Sequence, residues 1–172
     1  MQHQNIYVVD TSSLIKLKDY PHDVFTDLWN SIESILRQRR IIAPIQVYNE
    51  IRRKRDEISD LLNRHRNSIF IDPYKKWDIM KEACRIMERY PNLIISSKKK
   101  RTSADPYVIA LAIVRARNSI TLTNVNPYIV VTEDTRDRKD KKSIRSVCIA
   151  EGIRCITLIE LFREEGWKFT RV

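Results

Sequence analysis

Four short apolar runs punctuate this chain, and segments of helical periodicity separate them. The runs are IYVV (6–9), IIA (41–43), YIVV (128–131) and IRCITL (153–158). Runs this short, rich in β-branched residues and without polar alternation, read as strands buried on both faces. Between them, Val24, Phe25, Leu28, Ile32, Ile35 and Leu36 recur at helical spacing within 22–39. Pro44 suits the first position of a helix containing Ile45, Val47, Tyr48 and Ile51. Further helical patterns fall near 56–65 and 75–90, the second with Trp77, Met80, Cys84 and Met87 on one stripe. In ADPYVIALAIVRAR (104–117), Asp105 takes the N-cap position and Pro106 the first turn of what reads as the most buried helix. A weaker helix is expected at 143–150 and a short one at the end of the chain. Strands that alternate with helices pair in parallel, so the expected fold is α/β: a parallel β-sheet flanked by helices on both faces, an α/β/α sandwich. Sheets of this kind take ligands at the carboxyl ends of their strands.

The 172 residues suit one domain spanning 1–172, with no repeat or low-complexity linker to divide it. Only two glycines occur, Gly152 and Gly166, which excludes a GxGxxG dinucleotide loop and a phosphate-binding P-loop. No apolar stretch approaches a membrane span, and MQHQN lacks the features of a signal peptide. Cys84, Cys148 and Cys155 form no CxxC pair, so free thiols and a cytoplasmic location are expected. The net charge is +10, unevenly spread: residues 1–36 carry two lysines against five acids, or −3, which leaves +13 for the rest. The surplus gathers in RQRR (37–40), RRKR (52–55), KKKR (98–101) and RDRKDKK (136–142). Four such clusters point to a polyanion such as nucleic acid, because each phosphate neutralised releases counterions. A solvated, solubilising surface is the plain alternative for any one of them.

Four acids stand out against the strand pattern. Asp10 ends the first strand and is followed by Thr11, Ser12 and Ser13; Glu50 lies on the helix after the second. Asp105 opens the apolar helix, and Asp134 follows the YIVV strand within VVTED (130–134). Each has an ordinary explanation: a turn former, a solvent-facing partner of Lys54, a helix cap, one acid of a charged loop. Taken together they are carboxylates that would repel one another unless a cation joins them. Oxygen ligands select Mg²⁺ or Mn²⁺, and His3, His22 and His65 have no zinc-type spacing. Such an ion between carboxylates and a phosphate suits phosphodiester hydrolysis.

With these residues in place, the chain resembles the PIN-domain nucleases, in particular the VapC-like toxins of toxin–antitoxin pairs. The likeness rests on VVDTSSL (8–14), APIQVYNEI (43–51), ADPYVIALA (104–112) and VVTED (130–134), with 40, 55 and 29 residues between successive acids. It implies a PIN-like domain and a Mg²⁺- or Mn²⁺-dependent endoribonuclease acting on RNA. Asp10, Glu50, Asp105 and Asp134 would then be the catalytic metal ligands, with Ser12 and Thr132 as supporting hydroxyls. It also implies a cognate antitoxin protein as partner and a tendency to homodimers. Strand alternation puts Glu133 and Asp134 on opposite faces, so one of them reaches the metal. The chain is longer than many such toxins, and the extra length falls between Glu50 and Asp105. Lys98, Lys99, Lys100 and Arg101 before Asp105, and Arg136 and Arg138 after Asp134, are candidates to line an RNA path or to face water. Trp29, Trp77 and Tyr107 are candidates to stack on bases, though the apolar stripes favour packing of both tryptophans. Two other readings fit fewer residues. One is an RNA-binding module without catalysis. The other is a phosphatase of the haloacid-dehalogenase type, which wants a second acid where Ser12 stands.

Overall fold

A computed structural model describes residues 4–52, 56–94, 103–119 and 127–168. Its centre is a parallel sheet in the spatial order β3-β2-β1-β4-β5. The strands are β1 (Ile6–Val9), β2 (Ile41–Pro44), β3 (Phe70–Ile71), β4 (Tyr128–Val131) and β5 (Cys155–Ile156). Four of them occupy the apolar runs. β3 was not expected: two residues carry too little pattern to read, and they pair only because β2 offers a free edge, Ala43 opposite Phe70 and Pro44 opposite Ile71. The last strand is shorter than IRCITL, because Thr157 leaves the ladder to cap the next helix.

The helices are α1 (Thr11–Lys16), α2 (Thr26–Arg37), α3 (Ile45–Ile51), α4 (Glu57–Arg64), α5 (Arg66–Ile69), α6 (Trp77–Arg89), α7 (Asp105–Ser119), α8 (Ile144–Ala150) and α9 (Leu158–Glu164). Successive strand residues point to opposite faces, and both faces are covered. On one side Val9 and Ile41 meet Leu14, Leu17, Ile32, Leu36, Ile58, Leu62 and Leu161 from α1, α2, α4 and α9 and the turn after α1. Across the other face α7 packs on β1, β2 and β4, and α6 packs on α7. α7 is apolar around most of its circumference, from Pro106 through Val114, and is correspondingly buried.

Three details differ from the sequence expectations. Pro44 ends β2 and takes the N-cap position of α3, with extended backbone, so the helix begins at Ile45. Asp105 is the first helical residue of α7; the carbonyl of Ala104 before it accepts from the N–H groups of Tyr107 and Val108. On α6 the buried stripe is Ile79, Glu82, Ala83 and Ile86, while Trp77 is 79% exposed and Cys84 is exposed. Glu82 occupies a core position because Arg85 and Arg117 hold its carboxylate, at 2.6 and 3.1 Å. An apolar pattern gives no sign of such a pair.

The topology positions the site. From β1 the chain steps outward to β2 and β3, then returns through α6 and α7 to place β4 on the other side of β1. A helix that carries the chain back to the start of a parallel strand runs from the carboxyl rim to the amino rim. The first turn of α7 therefore lies at the rim where β1 and β4 end. That rim, between β1 and β4, is also where the strand order reverses, the usual crevice of an open α/β sheet.

Candidate active site

Asp10 is the residue where β1 gives way to α1. Its N–H still donates to the Val131 carbonyl at 2.9 Å, which extends the pairing of β1 with β4, while its side chain caps α1. One carboxylate oxygen, Oδ2, takes three hydrogen bonds: from Ser12 N at 3.2 Å, Ser12 Oγ at 2.6 Å and Thr132 Oγ1 at 3.0 Å. The carboxylate thus caps α1, and the Ser12 and Thr132 hydroxyls both donate to it. Ser12 Oγ also accepts from Glu133 N at 2.9 Å, and Thr132 Oγ1 accepts from Asp134 N at 3.1 Å. Ser12 and Thr132 thus stitch the turn after β1 to the turn after β4.

Glu50 does not behave as a solvent-facing helical acid. On α3, one of its oxygens accepts a very short hydrogen bond from Thr11 Oγ1, and the other accepts from Ala104 N at 3.1 Å. It therefore ties the residue after Asp10 to the residue before Asp105. Asp105 in turn meets Lys141, whose Nζ lies 3.0 Å from Asp105 Oδ2 and 2.7 Å from Asp134 Oδ2. Asp134 Oδ1 also has Arg138 at 3.9 Å. A closed circuit results: Asp10 to Thr132 to Asp134, to Lys141, to Asp105, through Ala104 to Glu50, and through Thr11 back to Asp10.

The neighbouring acids are taken up elsewhere. Glu133 accepts from Leu158 N at the start of α9, at 2.9 Å. Asp137 accepts from Ser143 N and Ser143 Oγ, at 2.8 and 2.9 Å, at the start of α8. Of the three acids after β4, Asp134 is the one that faces Asp105 across a shared cation.

The electrostatics follow from burial. Asp10 is 4% exposed. Loss of water, and then the nearby charge of Asp105, push its carboxyl up to about 6, against the lowering effect of the Ser12 and Thr132 hydrogen bonds. Lys141 is pulled the other way: burial works against its charge, but Asp134 and Asp105 outweigh burial and raise its pKa. The donor set fits a hard divalent cation. It is made of oxygens alone, and its most buried member is a carboxylate repelled by a second one. Among the described residues, no three His, Cys, Asp or Glu side chains form a ready metal cage. Mg²⁺ does not require one, since it commonly takes one or two carboxylates directly and completes its shell with water and phosphate oxygens. Asp10 and Asp105, close enough to interact electrostatically, are the pair that could take that direct role; both oxygens of Glu50 are occupied by Thr11 and Ala104, and Asp134 is paired with Lys141.

Two residues of the circuit carried no distinct signal in the sequence. Thr11 looked like turn chemistry, and Lys141 was one charge among seven in RDRKDKK. The basic clusters divide on inspection. Arg136 and Arg138 are exposed beside the site. Lys98, Lys99, Lys100 and Arg101, with Arg53, Lys54 and Arg55, lie outside the described residues. Arg40 is withdrawn from any polyanion surface: it is buried, donates to Asn5 O at 3.0 Å and pairs with Glu165 at 2.5 Å, at the amino rim away from the acids. Trp29 and Tyr107 are buried, with Trp29 Nε1 donating to Tyr20 O at 2.7 Å, so neither presents a face for stacking; Trp77 does.

Among the described residues, no helix is long and apolar enough to cross a membrane. Comparison with curated proteins and with solved structures found no match. Comparison with family models matched residues 7–169, almost the whole chain, to the family described as Domain of unknown function (DUF4411). The chain therefore belongs to the DUF4411 family.

Proposed function

We propose that this protein is a Mg²⁺- or Mn²⁺-dependent endoribonuclease of PIN type. The observation that carries the reading is the closed circuit itself. Four acids separated by 40, 55 and 29 residues are linked to one another through Thr11, Ala104, Thr132 and Lys141, which supports the reading. Structural need alone does not explain Asp10, whose burial beside Asp105 opposes its own ionisation. Asp10 and Asp105 would hold a divalent ion there, which would supply positive charge to a phosphodiester's developing negative oxygens and lower the pKa of an attacking water. The chain's own residues do the rest. Ser12 and Thr132 fix the Asp10 carboxylate in one orientation. Glu50 holds the turns that carry Asp10 and Asp105 at a set separation. Arg136 and Arg138, exposed beside Asp134, supply positive charge to the backbone of an approaching strand. The surplus of basic residues outside 1–36 favours a polyanionic substrate over a small phosphate ester.

The test is direct. Purified protein is incubated with single-stranded RNA in Mg²⁺ or Mn²⁺, and the ends of the products are identified. The reading expects 5′-phosphate and 3′-hydroxyl products, no cleavage in EDTA, and loss of cleavage in Asp105→Asn with the fold retained. Cleavage undiminished in Asp105→Asn contradicts it. One observation favours a second reading, an RNA-binding module without catalysis: Lys141 already neutralises part of the acid cluster. Salt-dependent RNA binding indifferent to Mg²⁺ would select that reading. A toxin role with a cognate antitoxin extends the proposal from the resemblance. Growth arrest on induction that vanishes with Asp105→Asn would support it.

A further inference from the structure

We propose that Lys141 is a built-in counter-ion of the acidic site, an ammonium that stands in for part of a divalent ion's charge and competes with it. The inference rests on the divalent-ion reading above and goes beyond it, since that reading assigns Lys141 no part in whether the ion binds. The geometry is specific. Nζ lies 3.0 Å from one carboxylate of the site and 2.7 Å from another, and the Lys141 side chain is only 15% exposed. Among the described residues, the other cation paired with Asp134, Arg138, is 3.9 Å away and its side chain is 69% exposed, so it is a weak, solvent-screened substitute.

The backbone beneath Lys141 is fixed while its side chain is long. Arg138 and Lys141 exchange N–H donors in a tight antiparallel turn, at 2.8 and 3.2 Å. Lys142 N donates to Asn92 O at 2.9 Å, and Ser143 is tied to Asp137. These bonds hold the backbone that presents the lysine to the two acids, and the four-carbon stem lets the charged head leave without disturbing the turn. Lysine suits this use better than arginine, because a compact point charge with three rotatable donors can be exchanged for an ion, whereas a planar fork locks onto a carboxylate. With the ammonium in place, the repulsion between Asp105 and Asp134 is offset without any divalent ion. An incoming divalent ion must displace it, so the resident charge sets the ion concentration at which the site fills.

The test reads ion binding, not cleavage. Mn²⁺ is titrated calorimetrically into the purified wild-type protein, Lys141→Met, Lys141→Gln and Lys141→Arg, with each fold checked by circular dichroism. Both neutral variants should bind Mn²⁺ about tenfold more tightly or better, because two carboxylates lose their internal partner, while Lys141→Arg should not tighten. Either neutral variant suffices if the other fails to fold. Neutral variants that bind no more tightly than wild type overturn the proposal, as does equal tightening in Lys141→Arg. Asp105→Asn placed in the tightest background separates the two levels. If it abolishes binding and the neutral variants are not tighter than wild type, only the counter-ion inference fails. If it leaves binding unchanged, the divalent-ion reading fails with it.

Discussion

At Asp10, two demands conflict. Its position between β1 and α1 makes it an efficient cap, and three donors satisfy one of its oxygens. Burial and the charge of Asp105 nevertheless favour its protonated form, raising its pKa from 3.8 to about 6. An acid whose folded-state pKa is raised takes up an extra proton on folding. Its effect is then a loss of stability as pH rises from about 4 through about 6. At neutral pH, and without divalent ion, that loss amounts to about 3 kcal/mol. Asp10→Asn should accordingly raise stability in EDTA at pH 7 by about that amount, with the gain disappearing near pH 4, as measured by urea denaturation at both pH values. A destabilised Asp10→Asn protein at pH 7 would mean that the carboxylate is there for the fold. The acids were legible as a set because three follow predicted strands and the fourth opens the most apolar helix. Thr11 and Lys141 were not legible, because a hydroxyl in a turn and a lysine in a charged loop look alike whether or not the fold brings them to a carboxylate.

Among elements, the segment from β4 to α8 sets the geometry of the site. Asp134 and Lys141 both lie on it, and two short devices hold it. One is the Arg138–Lys141 turn. The other is Asp137, which receives Ser143 N and Oγ at the start of α8 and is thereby held down to about 2. An acid whose folded-state pKa is depressed contributes stability above its usual pKa near 4, and that contribution is lost as pH falls toward 2. Asp137→Asn should therefore lower the melting temperature at pH 7 and have a shrinking effect below pH 4, as scanning calorimetry at both pH values can show. A constant effect across that range would contradict the carboxylate's role. The same scale explains what the sequence concealed. Apolar runs and helical stripes located β1, β2 and β4 and the long helices, since burial on both faces demands those patterns. They failed where something other than burial of apolar surface decides placement. Glu82 sits in the core because two partly exposed arginines reach its carboxylate from the surface, and Trp77 stands in water because position 77 begins α6 on its outer side.

For the whole molecule, the parallel sheet does two tasks at its two rims. At the amino rim, Glu165 receives Arg40 and the Tyr7 hydroxyl, at 2.5 and 2.6 Å, and so fastens the chain's end to the starts of β1 and β2. At the carboxyl rim, among the described residues, four carboxylates gather, and Lys141 and Arg138 pair with two of them. The first rim reads as closure of the fold, the second as a place for something to bind. The central claim is that Asp10 and Asp105 share a divalent ion at that second rim. Crystals grown or soaked with Mn²⁺ and measured at an anomalous wavelength test it most directly. The account predicts an anomalous peak between these two carboxylates, with an oxygen of each directly bound to the ion. A peak elsewhere, or none at millimolar Mn²⁺ with the site open to solvent, would contradict it.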